Sequence, residues 1–252
     1  LLYGARLRET SRWLQERTAP QLHGPEHQPS RWKEDLRLLL GPTYRGRLIA
    51  GSTLWFFTCV YLLAIVSFFP YYALHEQGWS AEKVGVTVTI GSGIAFVGYL
   101  GSGPLLDIVG RKATASAYFA LGAVTATVCF QAADVWMIGI FYALAVAMGG
   151  VWAISATITA EIFPTHMRAT ANAVANNVLG RLGCVLSPSL VGWLSSQLGS
   201  VGDAVSVVVW GNVFICVPIL LLLLPETRGK ALEEIAARTP ATEGNNEDRG
   251  NA

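Results

Sequence analysis

Gly103-Pro104-Leu105-Leu106-Asp107-Ile108-Val109-Gly110-Arg111-Lys112 joins two long apolar segments, Val84–Leu106 and Ala113–Ala133. One acid and two bases are packed into a turn too short to hold a polar domain. None of these charges is cheap in hydrocarbon, so the turn belongs at a membrane surface. Gly110 supplies a turn geometry that a residue with a side chain resists, and Gly103 leaves room for a neighbouring backbone to come close. The charged turn also fixes which end of each flanking helix meets water.

Of the 252 residues, 52% are hydrophobic, and they are not spread as in a soluble core. They fall in runs of about 20 or more, the length that crosses a bilayer as helix. Six spans are expected, at Leu48–Leu74, Val84–Leu106, Ala113–Ala133, Val135–Ala160, Ala169–Leu198 and Val205–Leu224. The loops between them are short, so successive helices run antiparallel. No alternating segments of about 10 residues point to a barrel. The fold class is therefore an all-α membrane protein with six transmembrane helices.

Outside the bundle (48–224) lie two polar regions. Residues 1–47 are mostly basic; Leu1-Leu2-Tyr3-Gly4 reads as the close of an earlier span, Ala19–Ser30 as a linker, and Arg31–Leu40 as a helix capped by Ser30. Trp32, Leu36, Leu39 and Leu40 share a face of that helix. The tail, 225–252, carries too little apolar surface to fold alone.

Charge sets the orientation. Sixteen of the 18 lysines and arginines fall on the side of the amino terminus, among them Arg45, Arg47, Arg111, Lys112, Arg168 and Arg228. The opposite side holds Lys83, and Arg181 lies within a span. By the positive-inside rule both termini are cytoplasmic. Within the spans, the glycines at 85, 91, 93, 98, 101 and 103, and the pair Gly149-Gly150, predict close helix contacts. Pro70, Pro188 and Pro218 predict kinks, with Pro188 the best placed to flex.

No enzyme constellation is present. The four histidines lie in loops, and no nucleophile motif or phosphate loop appears. Cys59, Cys129, Cys184 and Cys216 fall inside apolar spans and read as small buried hydrophobes, without disulfide or metal spacing. No cofactor, metal or nucleic acid is implied.

The opening stretch resembles the G-x-x-x-D-x-x-G-R-R/K loop of the major facilitator superfamily of secondary transporters. Two further stretches extend the resemblance: Glu161-Ile162-Phe163-Pro164-Thr165-His166-Met167-Arg168 is similar to the family's E-x-x-x-x-x-x-R loop, and Pro225-Glu226-Thr227-Arg228-Gly229 to the P-E-T-K-G after the last span of sugar porters. Arg8-Glu9-Thr10-Ser11-Arg12-Trp13-Leu14 resembles the P-E-S-P-R-W-L after the sixth helix, with both prolines replaced. The resemblance implies helices 7 to 12, the carboxy-terminal half-bundle of a 12-helix fold. It implies an amino-terminal six-helix half as partner, a small-molecule substrate between the halves near the midplane, and alternating access. It further implies that Asp107, Arg111, Lys112, Glu161, Arg168, Glu226 and Arg228 pair when a cytoplasmic gate is shut. The plainer reading is that these charges only set topology.

Arg181 is the sharpest residue. It lies about 12 residues into its span, roughly 18 Å deep and near the midplane of a ~30 Å core. A charge there costs about 2.5–3.5 kcal/mol on insertion scales, so it needs a cavity, a partner or an anion. Asn177 is four residues before it, on the same face. That face is expected to line a path on which Arg181 binds a substrate carboxylate. The other reading is that Arg181 bonds helix carbonyls or an acid outside this chain. Trp55, Phe56, Phe57, Tyr61, Tyr71 and Tyr72 crowd the first span, and Trp55 and Tyr61 are expected to face the substrate. Asn177-Val178-Leu179-Gly180-Arg181-Leu182-Gly183 resembles the G-R-I/L-G segment of helix eleven in aromatic-acid and nicotinate-type proton symporters and organic-ion transporters. The resemblance implies an organic anion, symport with protons, and a plasma-membrane location. A sugar or organic-cation carrier of the same fold, and a non-transporting membrane sensor, stay open.

Overall fold

The computed structural model describes residues 32–164 and 167–223. Helix α1, Trp32–Leu40, precedes the bundle. From Glu34 onward the described residues form one compact unit. In that unit Leu39 is buried, whereas Leu40 is 60% exposed, so the two do not share the buried face.

Among the described residues six helical stretches are long and apolar enough to cross a membrane: Pro42–Glu76, Ala81–Val109, Arg111–Gln131, Val135–Glu161, Arg168–Leu198 and Val201–Leu222. The first holds α2 (Pro42–Tyr71) and a π-helical turn, Tyr72–Glu76. The next two are α3 (Ala81–Val109) and α4 (Arg111–Gln131). The fourth is broken into α5 (Val135–Ala147), a 3-10 turn at Met148–Gly150, and α6 (Val151–Glu161). The fifth runs through α7 (Arg168–Asn172), a π-helical segment (Ala173–Gly180) and α8 (Leu182–Leu198). The sixth is α9 (Val201–Leu223).

The ends of these helices follow from local chemistry. Pro42 stands in the first turn of α2, where its missing N–H is no loss. The Ser80 side chain accepts from the Lys83 amide to cap α3, and the Asp134 carboxylate accepts from the Trp136 and Met137 amides to cap α5. Gly110 takes φ +109° between α3 and α4, a conformation that a side chain would strain.

Helix α2 lies against α8, the π-helical segment and α9; α9 packs on α4, α4 on α5, and α5 on α3. The two edges, α3 and α8, are the most open, with only 17% and 22% of their apolar windows buried against 61% for the span of α2. The small-residue expectation holds at particular crossings. A Cβ at Gly98 would strike the Ala147 carbonyl, and one at Gly150 would lie 2.8 Å from the Gly98 carbonyl oxygen. Gly91 sits as tightly against the Tyr142 ring. Gly85, Gly93, Gly101 and Gly103 differ from expectation, since a Cβ there would meet open space, with nothing within 4 Å. Helices continue through Pro70, Pro188 and Pro218, and the ladder changes at 72–76, just after Pro70, and at 148–150 and 173–180, which hold no proline.

Candidate functional site

Arg181 stands where the π-helical segment hands over to α8. The Arg181 amide donates to the Asn176 carbonyl at 2.9 Å, five residues back, so the ladder is wider than in an α-helix. Such segments store local strain and occur often at functional sites. Arg181 is 13 residues beyond Arg168 in a span that ends at Leu198, roughly 20 Å along at ~1.5 Å per residue. Its side chain is exposed, as are Asn177 and Val178. No ion pair to Arg181 occurs among the described residues.

The segment packs along α2 and comes closest to it at Gly180. A Cβ at Gly180 would lie 2.5 Å from Trp55 Cβ, so only glycine lets the two helices close. Trp55 is 1% exposed and packs edge-on to Trp152 of α6, with ring centroids 5.1 Å apart. The Trp55 indole N–H and the Asn176 side-chain oxygen find no hydrogen-bond partner. Buried polar atoms without partners are uncommon and call for water or a ligand. Trp55 is thus buried against Gly180, whereas Asn177 and Arg181 are exposed.

Tyr61 goes elsewhere. It is fully buried six residues further along α2, its hydroxyl donates to the Ala145 carbonyl at 2.9 Å, and its ring meets Phe119 edge-on. A Cβ at Gly122 would collide with the same hydroxyl. The aromatic residues of the first span therefore do not form one wall. Phe56 and Phe57 turn to an apolar groove of about 730 Å³ shared with Trp193 and Asn212, Tyr72 is buried, and Tyr71 is exposed beside His75. Trp152 was not singled out from the sequence, because nothing in an all-apolar span marks its inner face.

The charged residues gather at one end of the bundle. Arg111 grips Glu161 with both arms of its fork, Nε to Oε2 at 3.0 Å and Nη2 to Oε1 at 2.8 Å. It also donates to the Leu106 carbonyl and lies 3.4 Å from the Asp107 carboxylate. The Arg111 and Glu161 side chains are 14% and 15% exposed, against 77% for Asp107. A two-point, largely buried pair is among the stronger kinds of ion pair. The Lys112 ammonium donates to the Leu221 carbonyl near the end of α9 at 2.7 Å, and Arg47 donates to the Ile162 carbonyl at 3.0 Å. Arg168 opens α7. Glu226 and Arg228 lie outside the described residues. Among the described residues no cluster of three or more His, Cys, Asp or Glu could hold a metal.

Comparison with known proteins gives this arrangement a context. A family model described as Major Facilitator Superfamily matches residues 11–188 and 49–243. A D-galactonate transporter from Escherichia coli O6:H1 is 30% identical over 181 residues, which cover 67% of this chain and 39% of that protein. A cis,cis-muconate transport protein from Acinetobacter baylyi is 30% identical over 232 residues, 86% of this chain and 52% of that protein. The matched stretches span about half the length of these relatives or less.

Proposed function

The chain belongs to the major facilitator superfamily, and from that footing we propose that it forms one half of a secondary transporter for small organic anions. The observation that carries the reading is Arg181: an exposed cation at mid-span, without an ion pair among the described residues, beside Asn177 and next to the Trp55–Gly180 crossing. A guanidinium presents a planar fork that matches a carboxylate. The two relatives are named for D-galactonate and cis,cis-muconate, both carboxylates, which favours the same class here.

In this reading an amino-terminal six-helix half closes the other wall of the site, and the two halves rock about the substrate. The Arg111–Glu161–Asp107 corner and Lys112 act at a cytoplasmic gate, and both termini face the cytoplasm of a plasma membrane. Transport is coupled to protons. The test is binding of a carboxylate and of its neutral amide by titration calorimetry, with the intact protein and with Arg181→Gln. The proposal expects the carboxylate alone to bind, and Arg181→Gln to lose it. Equal binding of acid and amide, unchanged in Arg181→Gln, overturns it.

A further inference from the structure

Helices α2 and α8 meet almost backbone to backbone two residues beyond Arg181. A Cβ at Gly183 would strike the Phe56 carbonyl and fall 3.2 Å from Cys59 Cβ. That closeness sets Cys184, the residue after Gly183 on α8, against Cys59 on α2, so that each thiol feels the other. Both are free cysteines; Cys59 is 0% exposed and Cys184 is half-buried. The Cys184 amide donates to the Arg181 carbonyl at 3.0 Å, so the pair lies one turn from that residue. Cys129 and Cys216 are buried on α4 and α9, each on a different helix from this pair.

We propose that Cys59 and Cys184 form a cross-helix dithiol site that takes a trivalent arsenical as a two-point ligand. The half-buried Cys184 sulfur attacks first, and Cys59 closes the bridge. In R–As=O two As–S bonds form, the As=O bond breaks, and its oxygen leaves as water with the two thiol protons. Nothing is oxidised or reduced. A chelate of this kind yields to a competing dithiol and resists a monothiol, because both As–S bonds must be replaced together. The bridge ties α2 to α8 beside Arg181, so it is expected to stop movement of that wall.

The test treats the intact protein with phenylarsine oxide and reads the product by peptide mass spectrometry. The expected result is one phenylarsenic group joining the Cys59 and Cys184 peptides, released by 2,3-dimercaptopropanol and retained in excess 2-mercaptoethanol. A variant carrying Cys129→Ser and Cys216→Ser keeps the adduct. Cys184→Ser, at a half-buried position, loses it, and Cys59→Ser does the same. An adduct that survives Cys184→Ser, that a monothiol removes, or that never forms overturns the site. This readout does not use transport, so its failure leaves the anion reading untouched.

Discussion

Arg181 and Arg111 are the same side chain in opposite circumstances. Arg111 is neutralised by Glu161 in a two-point pair, whereas Arg181 faces outward from mid-span with no ion pair among the described residues. Hydrogen bonds to charged groups contribute about 1.5–3 kcal/mol, so Arg181→Gln should weaken carboxylate binding by roughly 10- to 150-fold. Arg181→Lys keeps the charge but not the fork, and should recover only part of that loss; calorimetry on the two variants separates charge from geometry. Glu161→Gln should destabilise the protein by about 1–3 kcal/mol, since it leaves the Arg111 guanidinium desolvated against a neutral amide. A thermal melt in detergent, with Asp107→Asn as the exposed control, reads that difference. Arg181 stood out in the sequence as a lone cation in an apolar run, though the run alone did not decide what it meets. The division between Trp55 and Tyr61 was not. Both sit in a helix that is apolar all round, and only the neighbours, Gly180 for one and Ala145 for the other, decide which way each ring turns.

Each span was legible from the length of its apolar run, because lipid demands an unbroken stretch of helix. The ends were less so: α2 begins at Pro42, six residues before the apolar run at Leu48, since a helix may continue into water where its carbonyls are solvated. The interruptions could not be read. Proline marks a missing donor, yet α8 runs through Pro188, while the π-helical segment at Ala173–Gly180 contains no proline. That segment is explained by contact, not composition, because Gly180 must meet Trp55. The same reasoning ranks the glycines. Gly98→Val should cost at least ~1–3 kcal/mol through collision with the Ala147 carbonyl, with Gly93→Val, where space is open, close to neutral. Melting temperatures of the two variants, purified in the same detergent, check the ranking.

Across the bundle, the open edges α3 and α8 bear on what the six helices can do alone. Each carries large apolar side chains outward, such as Phe96 and Leu100 on one and Val185 and Trp193 on the other. The sequence showed how many helices there are and which end is basic, but edges are a property of packing order and cannot be read from hydropathy. The proposed orientation predicts that Arg45→Cys reacts with a membrane-impermeant maleimide only in inside-out vesicles and Lys83→Cys only in right-side-out ones, each in a Cys184→Ser background. Labelling of both from one side would contradict it. The reading as a whole rests on a mid-span guanidinium that engages a substrate carboxylate. The decisive measurement is uptake of labelled organic anions, cations and sugars into proteoliposomes holding the intact protein, with and without an inward proton gradient, beside a folded Arg181→Gln variant. The account predicts anion uptake that the gradient raises and that Arg181→Gln lowers at least tenfold. Uptake of sugars or cations, untouched by Arg181→Gln, would contradict it.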